Sequence, residues 1–585
     1  MIQKLAAHKC SPVLFALLGM LLALPSVWTG WQQDDFNQRY FLLGNPGLEG
    51  KTSPLNIFAF LNGDPERTHT IMDLGLVPWW TLENIRLSFW RPLSSASHWF
   101  DYALWPDSAP LMHMQSLFWF GLLIVAVAAL YRKVIGVPWV AGLAGLLFAL
   151  DDAHGLPAGW IANRNALMAG FFGVLVLLIH HRWRQQQWRA GAILGPLVLL
   201  LGLLSGEVAL GAIGYLVAYS VFLDSGSRRK RLLVLLPYGI VAVIWFITYS
   251  LLGYGTWGSG FYVDPVSEPL AYAEAFFVRA PLLLADQLAL PPSSIVLFLQ
   301  PSGVAVLWVC AIIVLTVLSI AFAPLIQQDR TARFWALGMV LCLPPVCATL
   351  PHSRLLLFAG LGGMALVAHW IVSFREGVYG LPFSRRWRRL GKAVLVLLVA
   401  AHVIIAPIFL PLNAISPATA EPFLQRAANT APLGPDVAMK HLVIVNPPNV
   451  YYAHYFSTVR AVNKAPFPRH LCVLAPGAVP LRVTRPNECT LIIRPEGGFL
   501  GSPFDNVFRG SAHPLHLGDS IALTAMTVEI SGLTSDGRPA EATYRFPSSP
   551  EEGVFAWLQW KDGKYVPFDL PAVGAEILLP AQPLF

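Results

Sequence analysis

Apolar residues in this chain gather in runs too long for one face of an amphipathic helix and too continuous for the alternation of a half-buried strand. They lie at residues 10–30, 114–131, 134–150, 165–180, 190–204, 208–223, 232–253, 303–325, 334–350, 355–374 and 393–412, each bounded by basic, Pro/Gly or aromatic clusters. A bilayer core is crossed by about 20 helical residues, so the pattern predicts eleven transmembrane helices. The stretch 190–223 is too long for one crossing and has basic flanks, which predicts a hairpin turning at Ser205-Gly206-Glu207. The first run follows Lys4 and Lys9 and lacks a small-x-small cleavage site before Trp31, so it reads as a retained anchor.

Charge orients the helices. Basic residues fall at Lys4/Lys9, Arg132/Lys133, Arg182/Arg184/Arg189, Arg228/Arg229/Lys230/Arg231, Arg330/Arg333 and Arg375/Arg385/Arg386/Arg388/Arg389/Lys392, in every second loop. Cations near span ends stay on the cytoplasmic side, so the N-terminus is expected inside and segments 31–113, 254–302 and everything after 412 outside. Hydrophobic residues make up 55% and charged residues 12% of the 585, against roughly 25% charge in soluble domains, so the solvent is lipid. The net charge of +7 forms no continuous stripe, which argues against nucleic acid as a partner.

The external pieces differ in character. Segment 31–113 carries Trp79, Trp80, Trp90, Trp99 and Trp105 and short helix-like stretches such as 74–90, which together predict a loop lying in the headgroup region. Segment 268–290 is apolar but holds Glu274, Arg279 and Asp286, and reads as an interfacial helix. Beyond 412, turn residues punctuate short β-rich runs at 441–445, 471–474, 490–494, 520–530, 542–546 and 553–560. The expected fold class is an all-α polytopic membrane domain over 1–412 followed by a small, mostly-β extracytoplasmic domain over 413–585. In an oxidising compartment Cys472 and Cys489 would close a loop of about 17 residues worth roughly 3 kcal/mol; two buried thiols are the alternative. Cys10, Cys310, Cys342 and Cys347 fall in or beside apolar spans and act as small hydrophobes.

Candidate chemistry concentrates at the external face. Asp34 and Asp35 follow the first span; Asp151 and Asp152 end the third. Carboxylates at such depth are costly unless solvated, paired or used. His154 and Arg164 follow in the same short connection, and an external Arg against the charge bias suits an anion such as phosphate, or else an ion pair with an aspartate. The same duality holds for Arg91, His98, Asp101 and His113, and for His352 and Arg354. Among absent motifs are a phosphate-cradling Gly-rich loop with Lys-Ser/Thr, a Cys-x-x-Cys site and a Gly-x-Ser-x-Gly elbow, so nucleotide-driven and serine-hydrolase chemistry lose support.

Trp31-Gln32-Gln33-Asp34-Asp35-Phe36, Phe89-Trp90-Arg91-Pro92-Leu93-Ser94-Ser95 through Asp101-Tyr102 to His113, and Leu146-Leu147-Phe148-Ala149-Leu150-Asp151-Asp152-Ala153-His154 through Asn163-Arg164-Asn165 together resemble GT-C fold polyprenyl-phosphate-sugar-dependent glycosyltransferases. The nearest likeness, over about residues 31–185, is to the tetratricopeptide-containing protein O-mannosyltransferases. The resemblance implies a polyprenyl-phosphate-linked sugar as donor and an extracytoplasmic glycan, lipid or protein as acceptor. It implies Asp34 or Asp35 as catalytic base, Asp151, Asp152 and His154 as organisers of the acceptor or of a divalent cation, and Arg91, Arg164 and Arg354 as ligands of the lipid phosphate. Two features depart from the family: Asp151-Asp152 stands where it has His-Pro, and no tetratricopeptide array follows. The expected location is a bacterial inner membrane with the C-terminal domain in the periplasm. The rival reading is a noncatalytic membrane protein, either a lipid-linked glycan transporter or an envelope assembly scaffold; its only candidate signals are His402, an ionisable residue within a span, and the Pro344-Pro345 pair, for which a kink in a packed helix is the commoner explanation.

Overall fold

A computed structural model describes residues 7–43, 53–376 and 384–582, so Lys4 lies outside the described residues. The chain divides into two compact units, one made of the described parts of Met1–Gly30, Trp90–Leu252 and Asp264–Ala418, the other of those of Trp31–Phe89, Gly253–Val263 and Thr419–Phe585. These units do not follow the division expected at residue 412: residues 31–89 and 253–263 group with the C-terminal region.

The first unit is helical. Among the described residues, seven helical segments are long and apolar enough to cross a membrane: Ser11–Trp28, Ala109–Val134, Ile161–Gln186, Arg228–Leu251, Pro301–Gln328, Leu357–Glu376 and Arg385–Thr430, the last running on past this unit. Pro138–Leu150, Gly191–Leu203 and Glu207–Phe222 are shorter apolar helices, and the hairpin expected at Ser205-Gly206-Glu207 separates the last two. Their starts follow local chemistry. Pro occupies the first turn of Ala109–Val134, Pro138–Leu150 and Pro301–Gln328, where its missing N–H is no loss. Ser227 caps the Lys230 N–H, and Asp329 caps those of Thr331 and Ala332. The expected span 334–350 breaks: Arg330–Leu341 ends where Pro344 and Pro345 follow, and a short helix, Leu343–Cys347, takes over.

Burial sorts these helices. Leu357–Glu376 is 94% buried over its most apolar window, Arg228–Leu251 only 11%. A helix apolar all round and buried all round is the centre of a bundle, whereas an apolar, exposed one faces lipid. Glycines let neighbours approach the central helix: a Cβ on Gly362 would stand 2.6 Å from the Trp335 carbonyl oxygen.

The second unit is strand-rich. Its strands are β1 (Ala59–Asn62), β2 (Arg86–Ser88), β3 (Gly255–Trp257), β4 (His441–Ile444), β5 (His470–Val473), β6 (Leu481–Asn487), β7 (Thr490–Pro495), β8 (Ser520–Ala522), β9 (Thr527–Leu533), β10 (Pro539–Arg545), β11 (Phe555–Lys561), β12 (Lys564–Pro567) and β13 (Glu576–Leu579). They form a three-stranded sheet β1-β2-β3, a six-stranded sheet β13-β6-β7-β10-β9-β8 and a four-stranded sheet β12-β11-β4-β5. In the last, β4 pairs in parallel with β11 and β5. The run 520–530 is a hairpin rather than one strand, turning where the Leu523 N–H donates to the Met526 carbonyl.

Three further expectations are corrected in this unit. Trp79 and Trp80, expected in the headgroup region, are 2% and 1% exposed and belong to the hydrophobic core that also holds Val443, Leu474 and Tyr544. Their indole N–H groups donate to the carbonyls of Leu474 and Asp505, both at 3.2 Å, so each ring is buried with its polar atom satisfied. Stretch 74–90 is not helical: the helix of this region is Pro65–Asp73, and β2 follows. Cys472 and Cys489 are free thiols. Cys472 faces the core from β5, in register with Val443, while Cys489 sits in the β6–β7 turn of the other sheet, and burial pushes the Cys472 thiol up to about 12.

Candidate active site

Two clusters collect the predicted site residues, each inside one unit. In the strand-rich unit, helix Asp34–Leu42 opens with both acids in its first turn, preceded by Gln33 at φ +45°. A non-glycine residue at positive φ is strained, and such strain persists only where surrounding structure over-determines it. The acids have different surroundings. Asp35 is 1% exposed and its Oδ2 accepts the Gln32 N–H at 2.9 Å, so it reaches back to satisfy backbone at the helix start. Asp34 is half-buried, and its Oδ1 accepts the Tyr455 hydroxyl at 2.6 Å. A carboxylate at a helix N-terminus is favoured by about 0.3–1 kcal/mol through the helix dipole; a hydrogen bond to a charged group contributes about 1.5–3 kcal/mol. Both effects favour a charged carboxylate at this position.

In the helical unit, Pro138–Leu150 stops at Asp151, whose Oδ1 accepts the Ala153 N–H at 3.1 Å and so caps the turn Asp152–His154. Asp151 Oδ2 accepts from Gln287 Nε2 at 2.8 Å. Next along helix Pro269–Leu288, Asp286 Oδ2 accepts from the Ser293 N–H (2.8 Å), the Ser293 hydroxyl (2.7 Å) and the Ser353 hydroxyl (2.9 Å). Asn413 Nδ2 donates to the Asp152 carbonyl and, at 3.3 Å, to its Oδ2. The third carboxylate of this cluster, Asp286, comes from the end of helix Pro269–Leu288. Burial, then Asp151 and Asp286, push Asp152 up to about 7. Burial also lifts Asp286 to about 6 against the pull of its three donors. Carboxyls crowded out of water hold protons near neutral pH and can then donate as well as accept.

The remaining residues take distinct places. The His154 ring packs 4.3 Å from Phe148 and 5.7 Å from Phe120, and burial keeps it neutral. Arg164 is fully enclosed. Its guanidinium donates to Ser116 Oγ (3.0 Å), Ser97 Oγ (3.1 Å), Asp101 Oδ2 (2.5 Å), Gln115 Oε1 and the Met112 carbonyl (2.8 Å). Its acid partner is therefore Asp101, not Asp151 or Asp152. Arg91 pairs with Glu207 through Nε (2.8 Å) and Nη2 (2.7 Å). Arg354 is half-buried, lies 5.4 Å from the Trp160 ring centroid and has no carboxylate partner among the described residues. Beside it, burial and then the Arg354 charge push His352 down to about 3. Among the described residues no set of three His, Cys, Asp or Glu side chains is placed to hold a metal ion.

Sequence reasoning singled out neither Tyr455 nor Ser353, and read Asp286 only as a charge on an interfacial helix. Each reaches its partner across a long separation that leaves no local pattern: 421 residues for Tyr455 and Asp34, 67 for Ser353 and Asp286.

No protein-family model matches the chain, and no curated protein sequence matches it. Among solved structures it is similar to the oligosaccharyltransferase of Archaeoglobus fulgidus crystallised with zinc and sulfate, at 14% identity and a TM-score of 0.41, over 77% of this chain and 61% of that one. A second structure of that enzyme, tethered to an acceptor peptide, gives 12% identity and a TM-score of 0.38, over 77% and 63%. The chain thus spans about three-fifths of the length of the structures it matches.

Proposed function

We propose that this chain is an integral-membrane glycosyltransferase of the GT-C kind, moving a sugar from a polyprenyl-phosphate carrier to an acceptor hydroxyl on an extracytoplasmic glycan, lipid or protein. The observation that supports it is Asp34: a half-buried carboxylate in the first turn of a helix, behind the strained Gln33 and bonded by Tyr455, at the position where the resemblance expects a base. In this reading the acceptor oxygen attacks the anomeric carbon while its proton passes to Asp34. The bond from that carbon to the phosphate oxygen breaks, and polyprenyl phosphate leaves with the electron pair.

A well-placed donor on the leaving oxygens contributes about 3 kcal/mol. We assign that task to Arg354, since Arg164 and Arg91 already have carboxylate partners. Asp151, Asp152 and Asp286 organise the acceptor, the protonated carboxyl of Asp152 donating to a sugar hydroxyl. The N-terminus lies in the cytoplasm and the strand-rich unit outside a bacterial inner membrane, in keeping with the alternation of basic loops.

Deleting the gene and profiling surface glycans and glycoproteins by mass spectrometry tests this. A sugar residue should disappear, return with the wild-type gene, and stay absent with Asp34→Asn/Asp35→Asn at equal membrane abundance. Full return with the double variant would remove the mechanism and favour a transporter or scaffold.

A further inference from the structure

The Tyr455 hydroxyl has one proton. Given to Asp34 Oδ1 at 2.6 Å, it leaves the Tyr455 oxygen to accept from the Tyr451 hydroxyl, 3.0 Å away. The geometry therefore makes a chain Tyr451 to Tyr455 to Asp34, in which each donor polarises the next. Tyr451 and Tyr455 are one helical turn apart, their rings packed edge to face at 5.6 Å, which is why the two hydroxyls meet. The pair is anchored on either side. Asn449 Oδ1 accepts the Tyr452 N–H, and His454 Nδ1 bonds the Gly75 carbonyl at 2.8 Å. Tyr455 is 4% exposed, so its hydroxyl has exchanged water for a carboxylate.

We propose that Tyr455 is a positioning residue for the candidate base: it fixes the plane of the Asp34 carboxylate and holds it ionised, with Tyr451 as its support. The strand-rich region after residue 419 thereby takes part in the chemistry. This rests on the reading of Asp34 as base. Burial, with the Asp34 charge next, holds both phenols protonated, so they act as donors across the physiological range.

Charged side chains near Asp34 sit on its own helix and on the helix packed against it. Asp35 and Arg39 share its helix, and the Arg39 guanidinium lies 4.2 Å from the Trp31 ring centroid. Helix Phe456–Val462, which packs against Asp34–Leu42, carries Arg460, whose guanidinium donates to the carbonyls of Pro466 and Ala428. Tyr262 adds to the field at Tyr451.

The test reads Asp34 directly. The purified full-length protein is treated with a water-soluble carbodiimide and glycine ethyl ester from pH 4 to 7.5, and labelling of Asp34 is followed by peptide mass spectrometry. The reagent consumes the protonated carboxyl, so the pH midpoint of labelling reports its ionisation. Tyr455→Phe keeps the ring and removes the donor, and should raise that midpoint by about one pH unit. Tyr451→Phe should raise it by less, in a protein with Tyr455 intact. Unchanged midpoints in both variants would overturn the role of Tyr455 while leaving Asp34 as a base. Full surface product with Asp34→Asn would overturn the base, and the role with it, whatever the midpoint does.

Discussion

Arg164 and Asp101 form a 2.5 Å ion pair in which both side chains are wholly shielded from solvent. A charge so buried is tolerated only while its partner and remaining donors are satisfied, and removing one member costs about 3–5 kcal/mol. Asp101→Asn and Arg164→Met should each sharply lower the amount of folded protein in the membrane, read by size-exclusion of detergent extracts. Arg164→Lys should fail nearly as badly, because an ammonium cannot span Ser116, Ser97, Asp101, Gln115 and the Met112 carbonyl at once. A phosphate-binding arginine would behave otherwise: its loss would leave abundance normal and abolish product.

The cluster around Asp152 sets a pH dependence. Asp152 and Asp286 titrate at about 7 and about 6 in the fold, against roughly 3.9 in an unfolded chain. The folded state thus binds more protons, and the stabilisation is full below about pH 4 and lost as pH rises through 6 to 7. The apparent melting temperature of the purified protein should fall between pH 5 and 8. Asp152→Asn keeps the shape and an acceptor for Asn413 but cannot ionise; it should flatten that fall and raise melting at pH 8 by about 3–5 °C.

Asp34 and Asp35 should separate cleanly. Asp35→Asn weakens the bond to the Gln32 N–H at the helix start, costing about 1 kcal/mol of stability, with product retained. Asp34→Asn weakens the bond from Tyr455 and should lower melting by a similar amount, but it should also reduce product by about 10²–10⁴-fold. Thermal melts beside glycan profiles of each single variant check the split.

What could be read from sequence was what a local pattern records. Continuous apolar runs foretold helices such as Pro301–Gln328 and Leu357–Glu376 because a span declares itself within its own 20 residues. They could not say that the second is the bundle's centre while the first is largely exposed, since the exposed helix is the more apolar of the two. β4, β5 and β7 were legible as short β-branched runs, whereas β6 (Leu481–Asn487) and β13 (Glu576–Leu579), each carrying charge, were not. Trp79 and Trp80 suggested an interface because a tryptophan suits either a headgroup or a core; only the Leu474 and Asp505 carbonyls decide between them. The acids themselves stood out by position, but the partners that distinguish Asp34 from Asp35 lie in other segments.

The turn that carries Asp151 and Asp152 is held by two glycines, and this gives the last prediction. Helix Gly155–Gly159 packs directly on the backbone of Ala406–Ile415: a Cβ on Gly155 would stand 2.5 Å from the Leu410 carbonyl oxygen, and one on Gly159 only 1.9 Å from that of Ala414. Both obstacles are backbone, so no side chain can swing aside, and an added methyl must push the two helices apart. Overpacking of this kind costs about 1–3 kcal/mol. The separation also pulls Asn413, next to Ala414, away from the Asp152 carbonyl that it holds at 3.1 Å. Gly159→Ala should therefore lower the melting temperature and weaken the pH dependence at once, because a loosened turn lets water reach Asp152 and returns its pKa toward the ordinary range. Gly136→Ala, at a glycine where a Cβ meets nothing within 4 Å, should do neither. Melting curves of the two variants from pH 5 to 8 decide it: equal slopes in Gly159→Ala and wild type would mean that the helix contact does not control the carboxyl.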